Sequence, residues 1–131
     1  MSDTAETIVL IGGGQAGAWA TRTLRDRGHA GRIVLVGAEP HLPYERPPLS
    51  KAILVGEALP ESARLLSMAD IDRLGVEWIG GVAARRIDRE RRTIELDDGA
   101  QLGYDKLILC TGGMARPLSR EGSADGRVHL L

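Results

Sequence analysis

The feature that most constrains this chain is a glycine-lined turn, Gly12-Gly13-Gly14-Gln15-Ala16-Gly17, set between an apolar run and a helical pattern. Residues 7–11 form a short apolar run of the kind buried on both faces in a parallel sheet. From about Gly14 to Arg27 the spacing becomes helical: Ala16, Trp19, Ala20, Thr23 and Leu24 fall on one stripe, Arg22, Arg25 and Asp26 on the other. Gly28 is placed to stop that helix, and residues 32–36 make a second buried run. The order strand, tight turn, helix, strand predicts a βαβ unit. In that context G-x-G-x-x-G acquires a mechanism that it lacks alone. Gly12 permits the turn, Gly14 lets a pyrophosphate approach the backbone, and Gly17 lets the helix pack close to the strand. The N–H groups and dipole at the helix start favour phosphate charge. Glu39, about 20 residues past the last glycine, stands where a carboxylate can accept hydrogen bonds from both ribose hydroxyls and repel a 2′-phosphate. The alternative is a structural glycine turn with a solvated glutamate.

Composition narrows the surroundings. With 131 residues the chain is about one domain long, and its formal charge of -1 gives no argument for a nucleic acid or an acidic membrane. Its single cysteine, Cys110, excludes an internal disulfide and points to a reducing compartment. Residues 1–6 lack the basic start and apolar core of a signal peptide. No apolar run approaches the ~20 residues needed to cross a bilayer. A soluble cytoplasmic protein is expected. His29, His41 and His129 show no metal-ligand spacing, and the glycine turn lacks the Lys-Ser/Thr ending of a P-loop.

Beyond Glu39 the rhythm changes. Pro40, Pro43, Pro47 and Pro48 preclude a central strand, and Pro48 suits the first turn of a short helix through Ile53. Flanking prolines are expected to hold Arg46 extended, aimed at a phosphate or a ring. Lys51 would fall in the first turn of that helix, where the dipole disfavours a cation unless an anion offsets it; a solvated lysine is the plainer view. Ser67 and Asp70 predict a capped short helix over residues 67–74. Residues 76–79 read as a strand closing on Gly80-Gly81. Ile87, then Ile94 with Leu96, then residues 101–104 read as an antiparallel meander, turned by Asp97-Asp98-Gly99. Residues 106–110 are again a short buried run, stopped by Thr111-Gly112-Gly113. The fold expected is α/β: a Rossmann-like βαβ unit with a β-meander inserted. Arg85, Arg86, Arg89, Arg91 and Arg92 could face an acidic partner, but Asp88, Glu90 and Glu95 interleave with them, which favours a solvated hairpin face. Trp19 and Trp78 read as core or domain-contact residues.

Residues 12–17, the string Pro43-Tyr44-Glu45-Arg46-Pro47-Pro48-Leu49-Ser50-Lys51, and Thr111-Gly112-Gly113 with Arg116 together resemble the FAD-binding start of NADH-dependent ferredoxin reductases. These flavoproteins serve aromatic-ring dioxygenase and cytochrome P450 systems and are similar to rubredoxin reductase and apoptosis-inducing factor. The resemblance runs over residues 8–118 and implies an incomplete glutathione-reductase-like flavoprotein fold. It implies that Gly12, Gly13, Gly14, Gln15, Ala16 and Gly17 hold the FAD pyrophosphate, that Glu39 binds the adenosine ribose, and that Arg46 sits against the flavin nucleotide. Lys51 would lie beside the isoalloxazine ring, as the candidate catalytic residue. The backbone of Ala84, where the family usually has Val, would meet the adenine, and Thr111 and Gly112 would form a turn near the cofactor. NADH would be the electron donor and a [2Fe-2S] ferredoxin the acceptor, with no nucleic acid or membrane partner.

The departures are informative. Cys110 stands where the family usually has Ala and reads as a small hydrophobe, since no resolving thiol exists. Disulfide-reductase and cysteine-based peroxidase chemistry is therefore unavailable. The family is roughly three times this long. Residues 1–118 are expected to form the first segment of an FAD-binding domain and residues 119–131 a linker toward a missing NADH domain, with the chain a fragment not competent alone to turn over NADH. The alternative is a non-catalytic dinucleotide-binding module or inactive remnant.

Overall fold

A computed structural model describes residues 5–116. The expected linker over residues 119–131 lies outside them. The chain opens with β1 (Ile8–Ile11), α1 (Gln15–Asp26) and β2 (Ile33–Gly37). A 3₁₀ turn at Pro47–Ser50 and a second at Pro60–Ala63 precede α2 (Met68–Leu74) and β3 (Val76–Gly80). The meander β4 (Ala84–Asp88), β5 (Thr93–Leu96) and β6 (Gln101–Gly103) follows, and β7 (Lys106–Leu109) returns to the first sheet. The second 3₁₀ turn, begun by Pro60, has no counterpart in the sequence reading.

Two sheets result. The parallel sheet runs β3-β2-β1-β7, with Ile8 opposite both Ile33 and Lys106. The antiparallel sheet runs β4-β5-β6. Alternation along β1 and β2 assigns side chains to two cores. Ile8, Leu10, Ile33 and Leu35 pack with Ala18 of α1, Ile71 and Leu74 of α2, and Leu66. Val9, Ile11, Val34 and Val36 pack on the other face with Ile94 and Leu96 of the meander. Strands covered on both faces need unbroken aliphatic runs, which is why this core is built without phenylalanine.

Three expectations need correction. First, α1 does not bury Ala16, Trp19 and Thr23. It buries Gly17, Ala18 and Thr21, and Trp19 is 54% exposed. Small residues face the sheet because the helix lies close: a Cβ on Gly17 would overlap the Gly12 carbonyl and stand 3.2 Å from a Leu35 methyl. Apolar periodicity found the large side chains, whereas close approach selects the small ones. Second, Arg25 does not simply face water. Its guanidinium donates to the carbonyls of His29 and Gly31 after α1 and of Leu74 and Gly75 at the end of α2. One cation thereby serves the carbonyl-rich ends of two helices. Third, β7 is an edge strand among the described residues, with Leu109 59% exposed, rather than a buried run.

The short helix α2 follows its sequence signal. Ser67 accepts from the Asp70 N–H, and Asp70 accepts from the Ser67 N–H, forming the capping box. These bonds hold the Asp70 carboxyl well below the usual carboxylate range. Gly28 and Gly75 end α1 and α2 with φ of 86° and 58°.

Substituting Ser67→Ala should cost about 1 kcal/mol of stability. Arg25→Ala, which strips hydrogen bonds from four carbonyls, should cost more, about 2–3 kcal/mol. Urea denaturation of the two variants beside the parent chain checks both the values and their order.

Candidate functional site

The C-terminal ends of β1, β2 and β7 converge on one open cavity of about 640 Å³. In open α/β sheets this end is where ligands bind, and the volume suits a cofactor-sized one. Gly12, Gly13, Gly14, Gln15 and Ala16 form one wall, Gly37, Ala38 and Glu39 another, and Cys110, Thr111 and Gly112 the third. His41, Tyr44, Arg46 and Trp78 complete much of the lining.

The glycine turn is held from behind. Gly12 donates to Val36 O, and Cys110 donates to Ile11 O, so the turn is locked to both neighbouring strands. Gly12 has φ 119°, and a Cβ there would overlap the Cys110 carbonyl. That glycine is required by the fold. Gly14 is different: a Cβ there would meet nothing within 4 Å. The fold alone gives no reason for its lacking a side chain, whereas a ligand seated against the backbone does.

The start of α1 is chemically open. Its first hydrogen bond runs from Ala18 N–H to Gly14 O, so the amides of Gln15, Ala16 and Gly17 lack intrahelical partners. No side chain caps the helix, and its first turn carries no acid. An uncapped helix start opening on a cavity favours an anion from outside.

On the same cavity, Glu39 is held by two groups. Tyr44 donates its phenol O–H to Glu39 Oε2 at 2.6 Å, and Arg46 donates Nη2 to Oε1. The Arg46 guanidinium also lies over the Tyr44 ring, 5.7 Å from its centroid. The Tyr44 hydrogen bond does most to hold the Glu39 carboxyl below its usual range; burial opposes this, and the charges of Arg46 and His41 add to it. The same bond pushes the Tyr44 phenol up. Burial pushes the Cys110 thiol up, which makes it a poor nucleophile.

Of the residues singled out in the sequence, Gly12, Gly13, Gly14, Gln15, Ala16, Glu39, Arg46, Thr111 and Gly112 line this cavity together. Gly17 is buried behind it, against the sheet. Ala84, half-buried at the start of β4, and Lys51 do not line it. Two local expectations fail. Arg46 is not extended: with φ -81° and ψ -35° it is helical and caps the 3₁₀ turn. Lys51 follows the end of that turn rather than lying in its first turn, so the helix-dipole argument for a partner anion disappears.

Sequence reasoning gave no site role to Tyr44 and read Trp78 as a core or domain-contact residue; it does pack, partly buried, against the first core. Trp78 packs its indole against three glycines. A Cβ on Gly13 or Gly80 would lie 2.7 Å from the ring, and one on Gly37 would clash with it. The available signal was the coincidence of Gly13, Gly37 and Gly80 at the ends of neighbouring elements.

Comparison with known proteins agrees with this geometry. The profile of the pyridine nucleotide-disulphide oxidoreductase family matches residues 6–131. A ferredoxin--NAD(P)(+) reductase of a Sphingomonas species is 40% identical over 131 residues, covering 100% of this chain and 32% of that protein. The ferredoxin--NAD(+) reductase component of the p-cumate 2,3-dioxygenase system of Pseudomonas putida is 43% identical over the same 131 residues, again 100% and 32%. A crystal structure of a ferredoxin reductase from Rhodopseudomonas palustris superposes with a TM-score of 0.82 at 37% identity, over 87% of this chain and 28% of that one. The chain thus spans about a third of the length of the curated relatives it matches.

The contrast between glycines is testable. Gly14→Ala should cost no more than about 1 kcal/mol of stability, the difference between glycine and alanine at an N-cap, yet weaken binding of ADP by about tenfold or more. Gly17→Ala should destabilise the fold itself. Thermal melts and calorimetric titration of both variants separate the two effects.

Proposed function

Because the chain belongs to the pyridine nucleotide-disulphide oxidoreductase family, we propose that it is the FAD-binding part of a flavoprotein that carries electrons from NADH to a ferredoxin. The observation that carries this reading is the uncapped, glycine-lined start of α1 opening on the same cavity as Glu39. A diphosphate suits the first and a ribose diol the second, at the ends of adjacent strands on one cavity. The open space at Gly14 is the cradle such a group would fill. In this reading the amides of residues 12–17 hold the pyrophosphate, Ala16 gives a backbone contact, and Glu39 accepts from the ribose hydroxyls. Arg46 reaches the flavin nucleotide, and Thr111 and Gly112 close the cavity near it. Ala84 offers its backbone to the adenine, and Lys51 lies beside the isoalloxazine ring. When bound, FAD supplies the redox chemistry, accepting two electrons from NADH and releasing them singly. The protein's part is to bind, orient and tune it.

The relatives named for ferredoxin support a ferredoxin as acceptor, and the resemblance of the sequence motifs adds that it is of the [2Fe-2S] type. Among the described residues no helix is long and apolar enough to cross a membrane. That, with the near-neutral charge, supports a cytoplasmic protein without membrane or nucleic-acid partners. A second reading concerns the 131 residues alone: a dinucleotide-binding module without turnover. It is favoured by a cavity built, among the described residues, around one glycine fingerprint.

Side-by-side calorimetric titrations with FAD, ADP, NAD and NADP test the reading. FAD and ADP should bind, and NADP should bind worst because its 2′-phosphate meets Glu39. Equal or tighter binding of NADP overturns the assignment of Glu39. With FAD present, the 131-residue chain should not reduce a dye from NADH; clear reduction would show that it is catalytically sufficient.

A further inference from the structure

We propose that Tyr44 is a positioning residue for sugar recognition: its phenol fixes the Glu39 carboxylate so that the cavity takes a ribonucleotide, with both hydroxyls of the sugar, in preference to a deoxynucleotide. The proposal rests on the reading of Glu39 as the ribose acid and goes beyond it by giving that carboxylate a dedicated holder.

The first argument is one of capacity. An ionised carboxylate offers about four acceptor positions. Tyr44 uses one on Oε2 and Arg46 one on Oε1. About two remain, one on each oxygen, which equals the number of donors on a vicinal diol. A carboxylate held at Oε2 by Tyr44 and at Oε1 by Arg46 keeps one free position on each oxygen, so the arrangement favours a pair of hydroxyls.

The second argument distinguishes the two holders. Arg46 is an exposed side chain, 67% accessible, and an ion pair so placed contributes little on its own. Its guanidinium keeps further N–H donors for a phosphate while Nη2 holds Oε1. Tyr44 is anchored. Pro43 before it is fully buried, and its carbonyl accepts from the N–H of Leu65 and of Leu66. Glu45 after it donates to Ala63 O, and Tyr44 itself forms a β-bridge with Arg64. Short-range pairing with the second 3₁₀ segment thus fixes the backbone that carries the phenol. The prolines of this string do not hold Arg46 extended, as the sequence suggested; the buried Pro43 helps anchor the tyrosine beside the acid. The direction in which each group is pushed agrees, since the Tyr44 bond is the largest single cause holding the Glu39 carboxyl down.

The charged and titratable groups facing Glu39 are Tyr44, Arg46 and His41, all from the segment that follows β2. Gly81, after β3, donates its N–H to the Glu39 carbonyl and brings no charge. Glu39 is therefore ionised and competent above its ordinary value of 4.5 and stays so somewhat below it. Removing the phenol raises its folded-state value back toward the ordinary one, so competence is lost at a higher pH as the solution is acidified.

The test titrates ADP and 2′-deoxy-ADP into the parent protein, Tyr44→Phe, Glu39→Gln and the double variant, each from neutral pH down into the acid range. Tyr44→Phe should lose about tenfold in ADP affinity and much less for 2′-deoxy-ADP, and its acid limb should move upward. The double variant should be no worse than Glu39→Gln alone. Equal losses for both nucleotides, or an unmoved acid limb, make Tyr44 a merely structural residue and overturn the proposal. If the parent protein itself fails to bind ADP, the underlying reading of the site is what fails. Should Tyr44→Phe not fold, ultraviolet titration of Glu39→Gln keeps the question open to refutation. One of the two tyrosines, Tyr44 and Tyr104, should then ionise at lower pH than in the parent, and an unchanged titration overturns the coupling.

Discussion

The close approach of α1 to β1 across a glycine turn is the constraint from which the rest follows. With no Cβ at Gly12 and Gly17, the turn seats against the Cys110 and Gly12 carbonyls, and the helix lies flat on Leu35. That contact sets the crossover of the βαβ unit and fixes β2 beside β1 in parallel register. It also leaves the first amides of α1 pointing into a cavity rather than into a cap. A side chain at either position would separate helix from sheet and close the opening at the same time.

Around that contact the molecule divides its work between two faces. The face carrying α1 and α2 is tied by Arg25, whose guanidinium joins the two helix ends, and by Arg22, which donates to Leu65 O. The meander on the other face contributes Ile94 and Leu96 to the second core. Its arginines remain exposed, Arg91 pairing with Asp88, as expected of a solvated hairpin. The cavity lies at the end of the sheet, between the turn after β1, the residues after β2 and those after β7, so its walls are as fixed as the strands that carry them.

Much of this was legible in the sequence, for identifiable reasons. The runs at 8–11 and 33–36 had to be doubly covered strands, the Ser67–Asp70 spacing had to cap a helix, and Asp97-Asp98-Gly99 had to turn a hairpin. Each signal is local, and each rests on backbone chemistry that tertiary contacts seldom overrule. The failures were tertiary. Trp19 looked like core because large apolar residues usually are, yet the helix approaches too closely to admit it. Arg46 looked extended because it precedes proline, yet it caps a 3₁₀ turn. Tyr44 had no sequence signal, because its importance depends on a bridge to Arg64 twenty residues away. Trp78 left only an indirect signal in its neighbouring glycines, since the fold is what brings Gly13, Gly37 and Gly80 around its ring.

The central claim is that bare amides at the glycine bend receive a diphosphate while Glu39 receives the sugar. Amide-resolved nuclear magnetic resonance during titration with ADP addresses it most directly. The account predicts that the largest shifts fall on residues 13–17 and 39, with the hairpin at residues 88–93 unmoved. Shifts confined to the hairpin or to the 3₁₀ segments, with the glycine bend silent, would contradict it.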